Sequence, residues 1–570
     1  MLENLHPGDK PAAPTAWRRW GVAALAITSL LILAAGIGVA LMQPTSSGRV
    51  GVLVAELERP YAHDWLSELL RKFFPDYGKP RELNVVADEL AALGIEAVPE
   101  IITATGHRLP FVRCTAAGAL GKIGDRRAVA PLADLLSRDS EWEVRIAAAY
   151  SLGQLGGPEA TVRLIEAVAD PDMGVRCQAA SALGKIGDAK ATARLIEAMA
   201  DPNPMVREAV AQALGEIGDP KATGCLIEAM SDSEPLVRRA VATALGGVGD
   251  PKAAARLIEA MTDSEPKVRE AVASALGYVG GPQTTASLIE LLKDPVANIR
   301  VAAARGLGEM GDPAAVDSLL GAIKDAEGTV RYAAVWALAE IGDPRATPAL
   351  LAALKDADPE VRARTALALG DFGDPGATPA LLAALTDADA RVRSAAALSL
   401  GRLRSPQAVG GLVSALGDKE EYVRANSAFA LALQKRPEAV HVLAETITGE
   451  GEWLPVTAVV GLTLIDTPDA RQALEAGSRK TVNPAVRRLA AMAHAKPIIE
   501  ALAEELREKD NTLHRDIVYV LADLRDPAIL PALEEALKSP KSSVRYAARH
   551  AIRHISRASQ SQAPSTPPQN

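Results

Sequence analysis

Aromatic side chains are scarce in this chain. Phe, Trp and Tyr make up 3% of its 570 residues, although 48% of the residues are hydrophobic. Its core must therefore be built from alanine, leucine, valine and isoleucine, small enough for helix axes to approach closely. Cysteine is scarcer still, with Cys114, Cys177 and Cys225 alone. No Cys-x-x-Cys pair occurs. Cys114 and Cys177 hold one repeat position two repeats apart, roughly 20 Å, beyond the reach of a disulfide. All three read as small, buried or half-buried hydrophobes. A basic excess is missing too: 71 acidic residues against 62 basic give a formal charge of −9. That balance argues against a surface that tracks nucleic-acid phosphates. No glycine loop cradles a phosphate and no nucleophile elbow is present, so neither a small-molecule substrate nor a cofactor is expected.

What the chain has is a repeat. Arg145, Arg176, Arg207, Arg238, Arg269, Arg300, Arg331, Arg362, Arg393 and Arg424 follow one another at an interval of 31 residues. The phrase Pro204-Met205-Val206-Arg207-Glu208-Ala209-Val210-Ala211-Gln212-Ala213-Leu214-Gly215-Glu216-Ile217-Gly218-Asp219 recurs around each. Such a register marks a stacked array, which presents an extended surface and seldom encloses one catalytic pocket. In the first half of the period, Leu195, Ile196 and Met199 after Ala191 predict one buried helix stripe. The second half predicts a helix from Pro204 to about Glu216, with Val206, Ala209, Ala213, Leu214 and Ile217 inward. Gly218 suits the left-handed residue that closes a helix, Asp219 can cap the next, and Pro220 fits its first turn. The same Gly-Asp-Pro punctuation recurs at 249–251, 311–313, 342–344 and 373–375. Seven residues after every one of the arginines stands leucine, from Leu152 to Leu431. The fold expected is an all-α solenoid of about fifteen stacked helix pairs over residues 83–556, neither helix burying its face alone.

The phrase Val-Arg-x-x-Ala-x-x-Ala-Leu-Gly-x-Ile-Gly-Asp resembles the HEAT-like repeat named after phycobilisome lyases, and it covers most of the chain. The resemblance implies an armadillo-like helical fold used for protein–protein interaction, as a scaffold or adaptor. Its alternative is a lyase-like or other enzyme subunit on the same fold. Deoxyhypusine hydroxylase resembles this repeat class and binds a di-iron centre through adjacent His-Glu pairs. Here His6, His63, His107, His441, His494, His514, His550 and His554 are the histidines, and none precedes Glu. Bilin lyase subunits have no short transferable catalytic motif and act on soluble antenna proteins, which fits poorly with the N-terminal segment below. No enzymatic activity and no metal are therefore expected.

Residues 1–19 form an N-terminal tail, and 20–42 are predicted to be a transmembrane helix. Gly21 to Met42 is 22 residues without a charge, about 33 Å as a helix and long enough to cross a bilayer. Trp17, Arg18, Arg19 and Trp20 precede it, as at a membrane interface. The alternative is a cleaved signal peptide with Gly38-Val39-Ala40 as its small-residue site. Lys10, Arg18 and Arg19 before the span against Arg49 and Arg59 after it favour a cytoplasmic N-terminus. The expectation is a single-pass inner or plasma membrane protein with its solenoid outside the cytoplasm. Residues 43–82 are predicted as a linker and an amphipathic helix, Tyr61–Phe74, either capping the array or lying against the bilayer. Residues 557–570, rich in Ser, Gln and Pro, are predicted to be disordered.

Two patterns remain. Asp139, Asp170, Asp201, Asp232, Asp263, Asp294, Asp325, Asp356, Asp387 and Asp418 stand six residues before the arginines. A catalytic pair is needed once and a structural one at every turn. These predict a ladder, the arginine fork bridging its aspartate and the adjoining repeat. His550 and His554 could share a helix face, but no third ligand lies at helical spacing, so a solvated basic terminal helix is expected. The positions one, five and nine after each arginine vary and lie on one helix face. They are polar early, as in Glu208, Gln212, Glu216, Glu270 and Ser274. Later they turn apolar, and Tyr332, Trp336, Leu367, Leu398 and Phe429 are the candidate partner-binding residues, a continuous exposed strip. The alternative is that they fill gaps between successive second helices. After residue 436 the register weakens: Pro455 stands where an arginine is expected, and Arg487, Arg515 and Arg545 are irregularly spaced. A capping region or a local bend is expected there.

Overall fold

Each regular repeat closes on a backbone conformation that glycine adopts without strain. Gly218 ends the helix Pro204–Ile217 with φ 69° and ψ 21°, the left-handed region. Asp219 then turns the chain: its carboxylate accepts the Lys221 backbone N–H at 3.1 Å, and its carbonyl accepts the Ala222 N–H at 3.0 Å. That three-residue bond makes the first turn, Pro220–Ala222, a 3-10 turn, which leads into the helix Thr223–Ala229. The first helix of a pair is thus shorter than its apolar spacing suggests, because the aspartate cap tightens its opening turn. The second helix, Pro235–Val248, is 14 residues long.

The computed structural model describes residues 49–51, 53–54, 83–449, 453–495, 497–506, 514–524, 526–539, 544–545, 547–549, 551–553 and 555. The predicted tail 1–19, the predicted span 20–42, the amphipathic helix Tyr61–Phe74 and the tail 557–570 lie outside the described residues. Among the described residues there is no strand, and no helix is long and apolar enough to cross a membrane.

Contacts group the chain into two units, residues 1–260 and 261–570. In the first, the helices Pro110–Ile123, Trp142–Leu155, Met173–Ile186, Pro204–Ile217 and Pro235–Val248 lie side by side, each packed on the next. In the second, Pro266–Val279, Ala297–Met310, Gly328–Ile341, Pro359–Phe372, Ala390–Leu403 and Glu421–Ala432 repeat the arrangement. The leucine seven places after the arginine is the constant of both stacks. Leu152, Leu214 and Leu245 in the first, and Leu276, Leu338 and Leu400 in the second, have no exposed surface. Each contributes roughly 1.5–3 kcal/mol of burial.

Toward its C-terminal end the second unit loses the repeat by stages. Arg404, Lys435 and Asp466 take the left-handed conformation at φ 48°, 57° and 53° without being glycine, at a cost of roughly 1–2 kcal/mol each. The repeat nevertheless persists. Arg487 and Arg545 donate to the carbonyls of Thr481 and Ser539 six residues back, both at 2.7 Å. Arg207 makes the same bond to Asp201 at 2.9 Å.

Candidate functional site

The ladder is structural, and its pairing runs forward along the chain. Arg207 donates from Nε and Nη2 to Asp232 at 2.7 and 2.9 Å, 25 residues ahead. Its Nη1 donates to the carbonyls of Asp201 and Pro202. Asp232 also accepts the Glu234 N–H at 2.9 Å. Arg300–Asp325, Arg331–Asp356, Arg362–Asp387 and Arg393–Asp418 are built alike. Each arginine's side-chain partner is therefore the aspartate of the following repeat. The aspartate six residues before it supplies a backbone carbonyl, so the fork bridges its own repeat and the adjoining one as expected, but reaches its own aspartate through the carbonyl and not the carboxylate. Arg113 pairs with Asp139 at 2.6 and 2.7 Å in the same way, and its 32-residue distance from Arg145 hides it from a 31-residue count. At the far end Arg424 keeps its bonds to the Asp418 and Lys419 carbonyls, but Gly449 stands where the next carboxylate would be. The arginine beside it holds the Asp356 carboxyl below the usual carboxylate range. Each of these carboxylates accepts two bonds from an arginine and one from a backbone N–H, as Asp356 does from Arg331 and Asp358, an arrangement that suits a strut.

The variable face of the second helices carries a cleft in the second unit. It encloses about 480 Å³ and is lined by Ser274, Gly277, Tyr278, Ala302, Arg305, Gly306, Glu309, Tyr332 and Trp336. Three successive helices, Pro266–Val279, Ala297–Met310 and Gly328–Ile341, supply these residues. Small residues form the floor and the long side chains of columns one, five and nine form the walls. The Trp336 ring lies against Gly308, where an added Cβ would come within 2.6 Å of Cζ3. Tyr278 is 65% exposed, and Arg305 is exposed as well. Among the described residues the side chains of Tyr278, Arg305, Tyr332 and Trp336 make no hydrogen bond, so four side chains bearing donors border the cleft beside Gly277, Ala302 and Gly306.

The candidate strip divides at this point. Tyr332 and Trp336 line the cleft, half-buried; Leu367 and Leu398 are half-buried further along. Phe429 has no exposed surface, so the expected continuous exposed strip ends before it. The helix Trp453–Ile465 packs on the helix that carries Phe429, and His514–Leu524 packs on Trp453–Ile465. The C-terminal segment also returns to column nine. Arg402 meets Asp523 at 2.6 Å and Asp371 at 2.7 Å, Arg404 donates to the Leu524 carbonyl at 3.1 Å, and Arg553 reaches Glu340 at 3.3 Å and Glu309 at 3.5 Å. Tyr278, Arg305 and Glu309 stand outside the apolar strip that the sequence predicts, although they occupy its variable columns five and nine.

Other chemistry is sparse. Burial pushes the Cys114 thiol up to about 11 and moves Cys177 and Cys225 the same way, so none is a ready thiolate. No group of three or more His, Cys, Asp or Glu side chains gathers to hold a metal among the described residues. His550 and His554 lie outside them.

Several solved structures are similar to this chain. The Kap95:Nup1 complex is 13% identical, with 94% of this chain and 85% of that chain covered at a TM-score of 0.50, a likeness of fold alone. The CpcE and CpcF complex of phycocyanin lyase from Nostoc sp. is 27% identical, over 39% of this chain and 92% of that one, with a TM-score of 0.29. Human deoxyhypusine hydroxylase in complex with glycerol is also 27% identical, over 43% and 96%, with a TM-score of 0.22. Superpositions so poor carry no functional argument. No curated protein matches the sequence. The family described as HEAT repeats matches in overlapping segments that run from 83–153 through 225–303 to 409–495. These segments span most of the chain, and the protein belongs to the HEAT-repeat family.

Proposed function

We propose that the chain is a scaffold or adaptor, without enzymatic activity, that binds protein partners through the second-helix face of its second unit. Residues 20–42 hold it in an inner or plasma membrane, with the N-terminus cytoplasmic and the repeats outside. The observation that carries this reading is the cleft with four unpartnered donor side chains, Tyr278, Arg305, Tyr332 and Trp336. Aromatic and arginine side chains dominate binding hot spots because they combine a large apolar area with fixed polar atoms. The ladder carboxylates are engaged and the thiols protonated, which leaves little here to drive catalysis.

The test is capture by a photo-crosslinking side chain placed at Ser274 in the full-length protein in its native membrane. Tyr278→Ala and Arg305→Glu should each cut the yield of a partner adduct at least tenfold. Their melting temperatures should stay within a few degrees, since both side chains are exposed. Unchanged adduct yields would sink the site. Stoichiometric iron, or a bound chromophore absorbing in the visible, would favour the enzyme-subunit reading instead.

A further inference from the structure

We infer that the cleft docks the chain's own proline-rich segment, residues 557–570, which thereby competes with protein partners. The inference rests on the reading of the cleft as a partner site, and it names what regulates that site. Three observations meet here. The described chain arrives beside the cleft: Arg553 donates to the Glu309 carbonyl at 3.3 Å and pairs with its carboxylate at 3.5 Å, and Glu309 is a cleft wall. Ile555, two residues later, is 1% exposed, so the chain is anchored at that point.

The second observation is reach. Eight residues, 556–563, precede Pro564, and an extended chain of that length spans up to about 27 Å. Counted from Ile555, two residues past the Glu309 contact, that reach is enough to bring Pro564, Pro567 and Pro568 to the cleft that Glu309 lines.

The third is chemical fit. Pro564-Ser565-Thr566-Pro567-Pro568 favours polyproline II, whose conformation is largely set before binding, so little chain entropy is lost on docking. Proline lacks an N–H, and such a segment offers carbonyl acceptors on its outside. The cleft offers the complement: tyrosine hydroxyls, the indole N–H of Trp336 and the Arg305 guanidinium, none of them donating to an acceptor among the described residues. Aromatic walls with donors at their rims are how proline-rich segments are recognised in general. A basic peptide fits less well, because Arg553 already occupies Glu309 and Arg305 stands at the rim.

Cysteine trapping in the full-length chain tests this directly. The pair Ser274→Cys with Thr566→Cys should form a disulfide under mild oxidation at least tenfold faster than Gln283→Cys with Thr566→Cys. Gln283 is exposed but does not line the cleft. A labelled synthetic peptide of residues 557–570 should bind the chain lacking those residues at least tenfold more tightly than it binds the full-length chain. Tyr278→Ala in the protein, or Pro564→Ala with Pro567→Ala in the peptide, should each weaken that binding at least tenfold. Equal trapping rates for the two cysteine pairs, or a peptide that binds both chains alike or neither, would overturn the inference. If partner adducts at the cleft still depend on Tyr278, that outcome leaves the partner site standing. Tail docking with unaltered partner capture would do the reverse.

Discussion

Arg402 and Asp523, 121 residues apart in sequence, meet across the second unit, where one carboxylate oxygen of Asp523 lies 2.7 Å from Nε and 2.6 Å from Nη2 of the arginine. Asp371 takes the other side of the same guanidinium at 2.7 Å. Both carboxylates are nearly buried, with 3% and 7% of their side-chain surface exposed. Burial works against the arginine's charge, and the two carboxylates more than offset it, so its pKa is raised. Arg402→Ala would take the cation from between these two nearly buried carboxylates. The expected cost is about 3–5 kcal/mol in urea unfolding, typical of a buried pair broken from one side. A loss under about 1 kcal/mol would mean that the C-terminal segment is not held there.

The forward pairing of the ladder makes a double-mutant cycle decisive. Arg331 meets Asp356 with two bonds of 2.7 Å. Arg331→Ala and Asp356→Ala should each cost about 1–3 kcal/mol, and the double variant clearly less than their sum. For Arg269 the strongly coupled partner should be Asp294, 2.9 Å away. Asp263 offers Arg269 its carbonyl, which survives Asp263→Ala. Equal coupling of Arg269 to both aspartates would contradict the geometry.

Stability should fall on the acid side. Hydrogen bonds from arginine hold Asp232, Asp325, Asp356, Asp387 and Asp418 below the usual carboxylate range. As pH drops, the unfolded chain therefore takes up protons before the folded one does. The ladder's contribution is complete above the ordinary aspartate value of about 3.9 and is lost as pH falls through the window beneath it. Urea midpoints should be nearly level from about pH 7 to 5 and then drop steeply, and Asp356→Asn should flatten the drop. An identical slope in that variant would remove Asp356 from the account.

The N-terminal span has its own test. Full-length protein should stay with membranes after a carbonate wash, and removal of residues 1–48 should release it. Protease added outside cells with a permeabilised outer layer should digest the repeats. Full protection would reverse the proposed orientation.

Much of the fold was legible in the residues themselves. A 31-residue period carries its own punctuation. Gly218 and Asp219 specify a helix end and the next start through local backbone chemistry, and Leu214 and its equivalents are buried wherever the phrase recurs. These are short-range effects that repeat, so one period predicts the next. The identity of the ladder partner was less accessible. Asp201 and Asp232 are equally regular in sequence, and only stacking brings Asp232 to the fork of Arg207 while leaving Asp201 to offer its carbonyl.

The site was harder still. Columns one, five and nine after the arginine were visible as a variable face, but whether a given side chain there meets solvent depends on what lies across it. Phe429 and Trp336 occupy the same column, yet one is wholly buried and the other lines a cleft. The difference arises because the chain beyond residue 436 packs back over part of the second-helix face, through Arg402–Asp523 and Arg553–Glu340. Contacts more than a hundred residues apart leave no periodic trace. Local propensity and repetition thus determined the helix pairs and their buried leucines, and only tertiary packing decided which part of the shared face stayed open.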